Sequence, residues 1–179
     1  MHSGLDNISL QKQTAELLYK QITIIDPECI LVGGAPRDWY FNQEATDLDF
    51  FFVPSAEISI QYLMSLLGIS LVSRRGTTAH HLCEKMPGPL KIWEAVFNSI
   101  KIQLVEISSK EIMSVAVDEL HLSISKIVWL PSDNFKIHKD FSKTLETSII
   151  YGKSGYDLNS PYAQKILAKY SPLGYSLDL

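Results

Sequence analysis

Cysteine is nearly missing from this chain: 179 residues hold only Cys29 and Cys83, and neither sits in a C-x-x-C pair. Both fall in apolar runs that read as strands, so they are expected as small core residues rather than as a disulfide or part of a zinc site. Long hydrophobic runs are missing too, and nothing approaches the ~20 apolar residues of a membrane-spanning helix. The opening MHSGLDNISLQKQ lacks the basic-then-apolar layout of a secretory leader, so a cytoplasmic protein is expected. There is no excess of positive charge. With 16 Lys and Arg against 20 Asp and Glu the net charge is −4, which argues against a protein that coats nucleic acid through a basic face. What the chain does have is 46% hydrophobic and 20% charged residues, enough for one globular domain with a real core.

The most informative stretch runs from Cys29 to Val53, CILVGGAPRDWYFNQEATDLDFFFV. Ile30-Leu31-Val32 reads as a buried strand that stops at Gly33-Gly34, residues without a Cβ that let a ligand approach the backbone. Ala35-Pro36-Arg37-Asp38 reads as the first turn of a helix, where proline is tolerated. A strand feeding glycines into a helix N-terminus suits an anionic group, and phosphate is the natural guest. Asp47 and Asp49 open the next strand. The period of two puts both on one face, with Leu48, Phe50 and Phe52 on the other. Two adjacent carboxylates repel unless a cation lies between them. Mg²⁺ fits best, because it takes oxygen ligands and is shared between one or two carboxylates and substrate phosphates. Metal-assisted chemistry on a nucleoside triphosphate follows.

Taken together, Gly33-Gly34-x-x-Arg37-Asp38 and Asp47-x-Asp49 resemble the signature of the DNA polymerase beta nucleotidyltransferase superfamily, in the form found in the head domain of bacterial poly(A) polymerases and CCA-adding enzymes. The resemblance implies that the glycines contact the triphosphate, that the D-x-D pair binds two metal ions, and that a third carboxylate comes from a later strand. The compact size and the Gly-Gly-Ala-Pro-Arg-Asp-Trp variant are also similar to small stand-alone nucleotidyltransferases carried by bacteriophages. The expected fold is α/β in the broad sense (α+β), a mixed, largely antiparallel sheet flanked by helices on one side. One domain is expected over 1–179, with a core at about 28–130 and a helical extension at about 131–179.

Along the chain, Leu10, Ala15, Leu17, Leu18 and Ile22 suggest a helix over 9–22 packed on the sheet. Residues 56–67 read as a helix closed by Gly68, 70–73 as a short strand, and Arg74-Arg75-Gly76-Thr77 as a turn. Residues 78–85 and 91–97 read as strands, Asn98-Ser99 as a turn, and 100–107 as an alternating strand with Ile100, Ile102, Leu104 and Glu106 on one face. A carboxylate in phase with apolar side chains is expensive unless shared with a metal. Glu106 also matches the resembled family's later-strand carboxylate, which makes it the candidate third ligand; the alternative is a strand ending one residue early with Glu106 solvated.

Other readings stay open. Arg74 and Arg75 either reach triphosphate oxygens, for which a guanidinium fork suits, or form an ordinary exposed turn. Arg37 and Asp38 either contact the nucleotide or form an ion pair that fixes the Gly-Gly turn. Trp39, Tyr40 and Phe41 read as packing. His80-His81 point to opposite faces, and His81 with Cys83 supplies too few ligands for zinc. The resemblance covers Cys29 to Ile107 well and the remainder poorly. Where the resembled enzymes carry R-R-D-F-T-I-N, Glu119 to Ser125 keeps the apolar skeleton and loses both arginines, the aspartate and the asparagine. Lys136, His138, Lys139, Lys143, Lys153, Lys165 and Lys169 read as a solvated face in preference to an RNA grip, with a last helix from Pro161 through Tyr170. Three functions compete: a nucleotidyltransferase whose acceptor is an RNA end, a protein or a small molecule; a binding module that has lost turnover; and an inhibitor-like partner of another macromolecule.

Overall fold

The computed structural model describes residues 3–74, 91–108, 117–118 and 120–178. The predicted strand over 78–85, with His80, His81 and Cys83, and the turn residue Arg75 lie outside the described residues. Seven strands among those described form one sheet in the order β3-β4-β5-β2-β1-β6-β7. They are β1 (Ile30–Val32), β2 (Asp47–Phe52), β3 (Val72–Arg74), β4 (Lys91–Phe97), β5 (Ile100–Glu106), β6 (Ile127–Leu130) and β7 (Asn134–Ile137). Every neighbouring pair is antiparallel except β2 and β5. The mixed, largely antiparallel sheet is therefore as expected from sequence. Parallel pairing needs a crossover, which the chain between β2 and β5 supplies.

One sheet face carries Leu31, Leu48, Phe50, Phe52, Trp93, Leu104 and Trp129 and is covered by three helices, α1 (Ser3–Ile22), α2 (Gly34–Tyr40) and α3 (Ile60–Leu66). The buried stripe of α1 is Ile8, Gln11, Ala15, Leu18 and Ile22, at helical spacing, whereas Leu10 and Leu17 are exposed. Gln11 earns its buried place by hydrogen bonding. Its Oε1 accepts from Trp39 Nε1 at 2.9 Å and from Ala45 N at 3.0 Å, while its Nε2 donates to Ala45 O at 2.9 Å. A polar residue in an otherwise apolar stripe thus ties α1 to the loop entering β2. Trp39 and Trp129 meet edge to face at 5.5 Å.

Helix α3 begins later than expected from sequence, because Ser55 Oγ accepts from Glu57 N at 3.1 Å and holds a local turn there. It ends on Gly68 at φ 71°, with Gly68 N donating to Ser65 O at 3.0 Å and Ile69 N to Met64 O at 2.9 Å. The β4–β5 hairpin closes through Asn98 and Ser99, both at positive φ, where the sequence suggests a turn.

The second face carries Val32, Phe51, Ile92, Val105 and Val128, with Leu120 packed on them. Beyond β6 the chain differs from a purely helical extension: β7 completes the main sheet, and β8 (Ile149–Ile150) pairs in parallel with β9 (Ser176–Leu177). Helices α4 (Lys139–Thr147) and α5 (Pro161–Tyr170) join them around Ile124, Phe141, Ile150, Ile166 and Tyr170. Helix α5 starts where expected, with Pro161 in its first turn and Ser160 Oγ accepting from Ala163 N at 3.3 Å. No helix among the described residues is long and apolar enough to cross a membrane.

Candidate active site

Strand β1 hands the chain to α2 through Gly33, whose φ of 87° with ψ of −121° is a conformation that residues with a Cβ rarely adopt. Gly34 is a different case. A Cβ there would lie 3.8 Å from Arg37 Nη2 and 4.0 Å from Asp47 Oδ1, in contact without clash. The glycine turn therefore runs directly past the first D-x-D carboxylate.

Arg37 and Asp38 are nearly inaccessible, at 4% and 1% exposure, and belong to a buried network. Arg37 Nε donates to Asp38 Oδ1 at 2.8 Å and to the Tyr170 hydroxyl at 2.9 Å, and Arg37 Nη1 donates to Ser125 Oγ at 3.0 Å. The Tyr170 hydroxyl in turn donates to Asp38 Oδ1, and Lys169 Nζ lies 2.6 Å from Asp38 Oδ2. Burial pulls the Arg37 guanidinium toward neutrality, but Asp38, Tyr162 and Tyr170 more than offset this and hold it above its ordinary value. Burial pushes the Tyr170 phenol up. Of the two roles open to Arg37 and Asp38, the geometry matches the ion pair that fixes the turn. It also anchors α5 across more than a hundred residues of sequence.

Asp47 and Asp49 begin β2 on the second face, beside Phe51. Asp26 fastens the far end of that strand, its Oδ2 accepting from Val53 N at 2.8 Å and its Oδ1 from Glu28 N at 3.0 Å. Across the parallel pair, Asp49 is in register with Gln103 and Phe52 with Glu106. Register partners share a face, so Gln103 joins the aspartates and Glu106 lies on the opposite side of the sheet. The expectation that Glu106 is the third ligand is corrected: it accepts from Trp93 Nε1 at 2.6 Å, on the helix-covered face. Gln103 occupies the position beside Asp49, with its Nε2 donating to Glu94 Oε1 at 3.3 Å.

Gly33, Gly34, Arg37, Asp38, Asp47, Asp49 and Gln103 line one cavity of about 460 Å³. His121, Ser125, Tyr162, Lys165, Ile166 and Lys169 also line it, on the wall away from the sheet strands. Arg74 ends β3, opposite Ile92 of β4. Among the described residues, no three His, Cys, Asp or Glu side chains cluster to hold a metal. Of the three carboxylates among the described residues that line the cavity, Asp38 is engaged by Arg37, Tyr170 and Lys169, and Asp47 and Asp49 supply charged oxygen donors from the sheet. Two carboxylates open to a cavity suit Mg²⁺, which completes its shell with water and phosphate, and do not suit a closed zinc site.

No protein-family model and no curated protein matches the sequence. Solved structures do match in fold. A Thermotoga maritima CCA-adding enzyme complexed with tRNA aligns at a TM-score of 0.64 and 12% identity, over 93% of this chain and 40% of that one. The fold is that of the CCA-adding nucleotidyltransferases. A tRNA-processing enzyme in an apo form gives 0.62 at 14% identity, over 93% of this chain and 44% of that one. A CCA-adding enzyme in complex with ATP gives 0.61 at 10% identity, over 96% and 42%. The chain thus spans less than half the length of these enzymes. Within this nucleotidyltransferase fold, Gln103, Tyr162, Lys165, Lys169 and Tyr170 are cavity or network residues that the sequence did not single out as such. For Gln103 the signal was present, since it alternates with Glu106 on the same strand. The lysines show only as an i, i+4 pair in the last helix.

Proposed function

We propose that this chain is a magnesium-dependent nucleotidyltransferase that moves a nucleoside monophosphate from a nucleoside triphosphate to an acceptor hydroxyl. The observation that carries this reading is that the glycine turn and both D-x-D carboxylates line one cavity, in a fold shared with CCA-adding enzymes. Asp47 and Asp49 would hold the metal, with Gln103 beside them. When bound, the ion polarises a phosphoryl oxygen and lowers the pKa of the acceptor hydroxyl. Gly33 and Gly34 leave the backbone bare where the triphosphate lies, and the Arg37–Asp38 network keeps that turn fixed while the cavity fills. The acceptor oxygen bonds to the α-phosphorus as the α–β phosphoanhydride bond breaks, pyrophosphate leaves, and the hydroxyl proton passes to solvent. Of the acceptor classes open to it, an RNA end is the first to test, since two structurally similar enzymes are complexed with tRNA.

A binding module without turnover is the second reading, and Gln103 in place of a third carboxylate is the observation in its favour. Label transfer separates the two. Isotope from an α-labelled nucleoside triphosphate is expected to enter RNA ends in the presence of Mg²⁺ and to stop doing so in Asp47→Ala and Asp49→Ala. Magnesium-dependent triphosphate binding with no transfer to any RNA, protein or small-molecule acceptor favours the module.

A further inference from the structure

The cations of the cavity are not equivalent. Arg37 is held at 2.8 Å by Asp38 and also donates to Ser125. Lys169 is held at 2.6 Å by the other oxygen of the same carboxylate and reaches Glu44 O at 3.3 Å. Both cations are therefore held in place by the same Asp38 carboxylate, whose single negative charge balances one of the two. His121 stacks its ring on Tyr156 at 4.6 Å. Lys165 lies one turn before Lys169 on α5, lines the same cavity and is exposed, and among the described residues no carboxylate pairs with it.

We propose that Lys165 receives the β- and γ-phosphates of the bound nucleoside triphosphate. This rests on the nucleotidyltransferase reading above. Residues four apart on a helix share a face, so the Lys169–Asp38 contact that docks α5 against α2 also turns Lys165 toward the cavity. The sheet side of the cavity is acidic, through Asp47 and Asp49, and repels phosphate except where a metal bridges them. The charge that the metal leaves unmatched needs a donor on another wall. A lysine ammonium, compact, flexible and carrying three donors, is suited to a phosphate tail whose position shifts as pyrophosphate departs.

The test is calorimetric binding of an α,β-methylene nucleoside triphosphate with Mg²⁺, and of the matching monophosphate, to the full wild-type chain, Lys165→Ala and Lys165→Arg. Because a hydrogen bond to a charged group is removed, Lys165→Ala is expected to weaken triphosphate binding about ten- to a hundredfold while leaving the monophosphate nearly unchanged, and Lys165→Arg to restore most of the loss. Wild-type triphosphate affinity in a folded Lys165→Ala, with binding still abolished by Asp47→Ala, overturns the assignment of Lys165 alone. A wild-type chain that binds no triphosphate overturns the nucleotidyltransferase reading, and the assignment with it.

Discussion

Asp49 and Gln103 are register partners across the parallel pair β2–β5, and Gln103 donates its amide to Glu94 on the next strand at 3.3 Å. The position beside the D-x-D pair is thus neutral, and no third charge adjoins Asp49 at that register position.

Supplying that charge is informative. Gln103→Glu is expected to tighten divalent-cation binding by about tenfold, because affinity at oxygen-ligand sites rises with ligand charge. Titration with Mn²⁺ followed by electron paramagnetic resonance reads this. An unchanged affinity would mean that residue 103 does not address the metal.

The C-terminal helix is tied to the glycine turn through Tyr170 and Lys169. Tyr170→Phe removes a buried hydroxyl that both donates and accepts, and is expected to cost ~1–3 kcal/mol. Arg37→Ala leaves Asp38 buried with one of its partners gone and is expected to cost more, ~3–5 kcal/mol. Urea denaturation of both variants checks the order. Unfolding midpoints equal to wild type would show that the network does not anchor α5.

The two glycines should separate in behaviour. Gly33→Ala places a Cβ at φ 87° and is expected to destabilise by ~1–3 kcal/mol through backbone strain, since nothing among the described residues lies within 4 Å of the new methyl. Gly34→Ala meets only ordinary contacts, so it is expected to fold normally and to bind triphosphate less well. Thermal melts paired with nucleotide titration distinguish them; equal stability loss in the two variants would contradict the distinction.

Alkaline pH should weaken the fold. Burial pushes the Cys29 thiol up from 9.0 to about 12 and the Tyr19 phenol up from 10.0 to about 12, and it raises the Tyr170 phenol as well. Groups whose folded pKa is raised contribute stability that is fully present below the unfolded value and lost as pH rises toward the folded one. Stability is therefore expected to be level up to about pH 9 and to fall between there and about 12. Cys29→Ala should flatten the first part of that decline in a series of denaturant melts. A wild-type profile with no alkaline decline would contradict the burial of these groups.

Much of the local structure was legible in the sequence. Strands β2, β4 and β5 and helix α5 begin where periodicity and turn residues place them, because those signals are local. The alternation in β5 even assigned Glu106 correctly to the face of Ile102 and Leu104. What it could not supply is which face of the sheet that is. That depends on the parallel register with a strand some fifty residues earlier, a tertiary fact with no local trace, and it moves the partner of Asp49 from Glu106 to Gln103. The same holds for Gln11, whose burial is explained by Trp39 and Ala45, and for Lys169 and Tyr170, whose shared partner Asp38 lies more than 130 residues away.

Anomalous diffraction from crystals grown with Mn²⁺ and a non-hydrolysable nucleoside triphosphate examines the proposed centre without intermediaries. The expected map has its metal signal between Asp47 and Asp49, with phosphates against Gly33 and Gly34. Metal density at Glu106, or a nucleotide seated outside the cavity that Asp47 and Asp49 line, would contradict it.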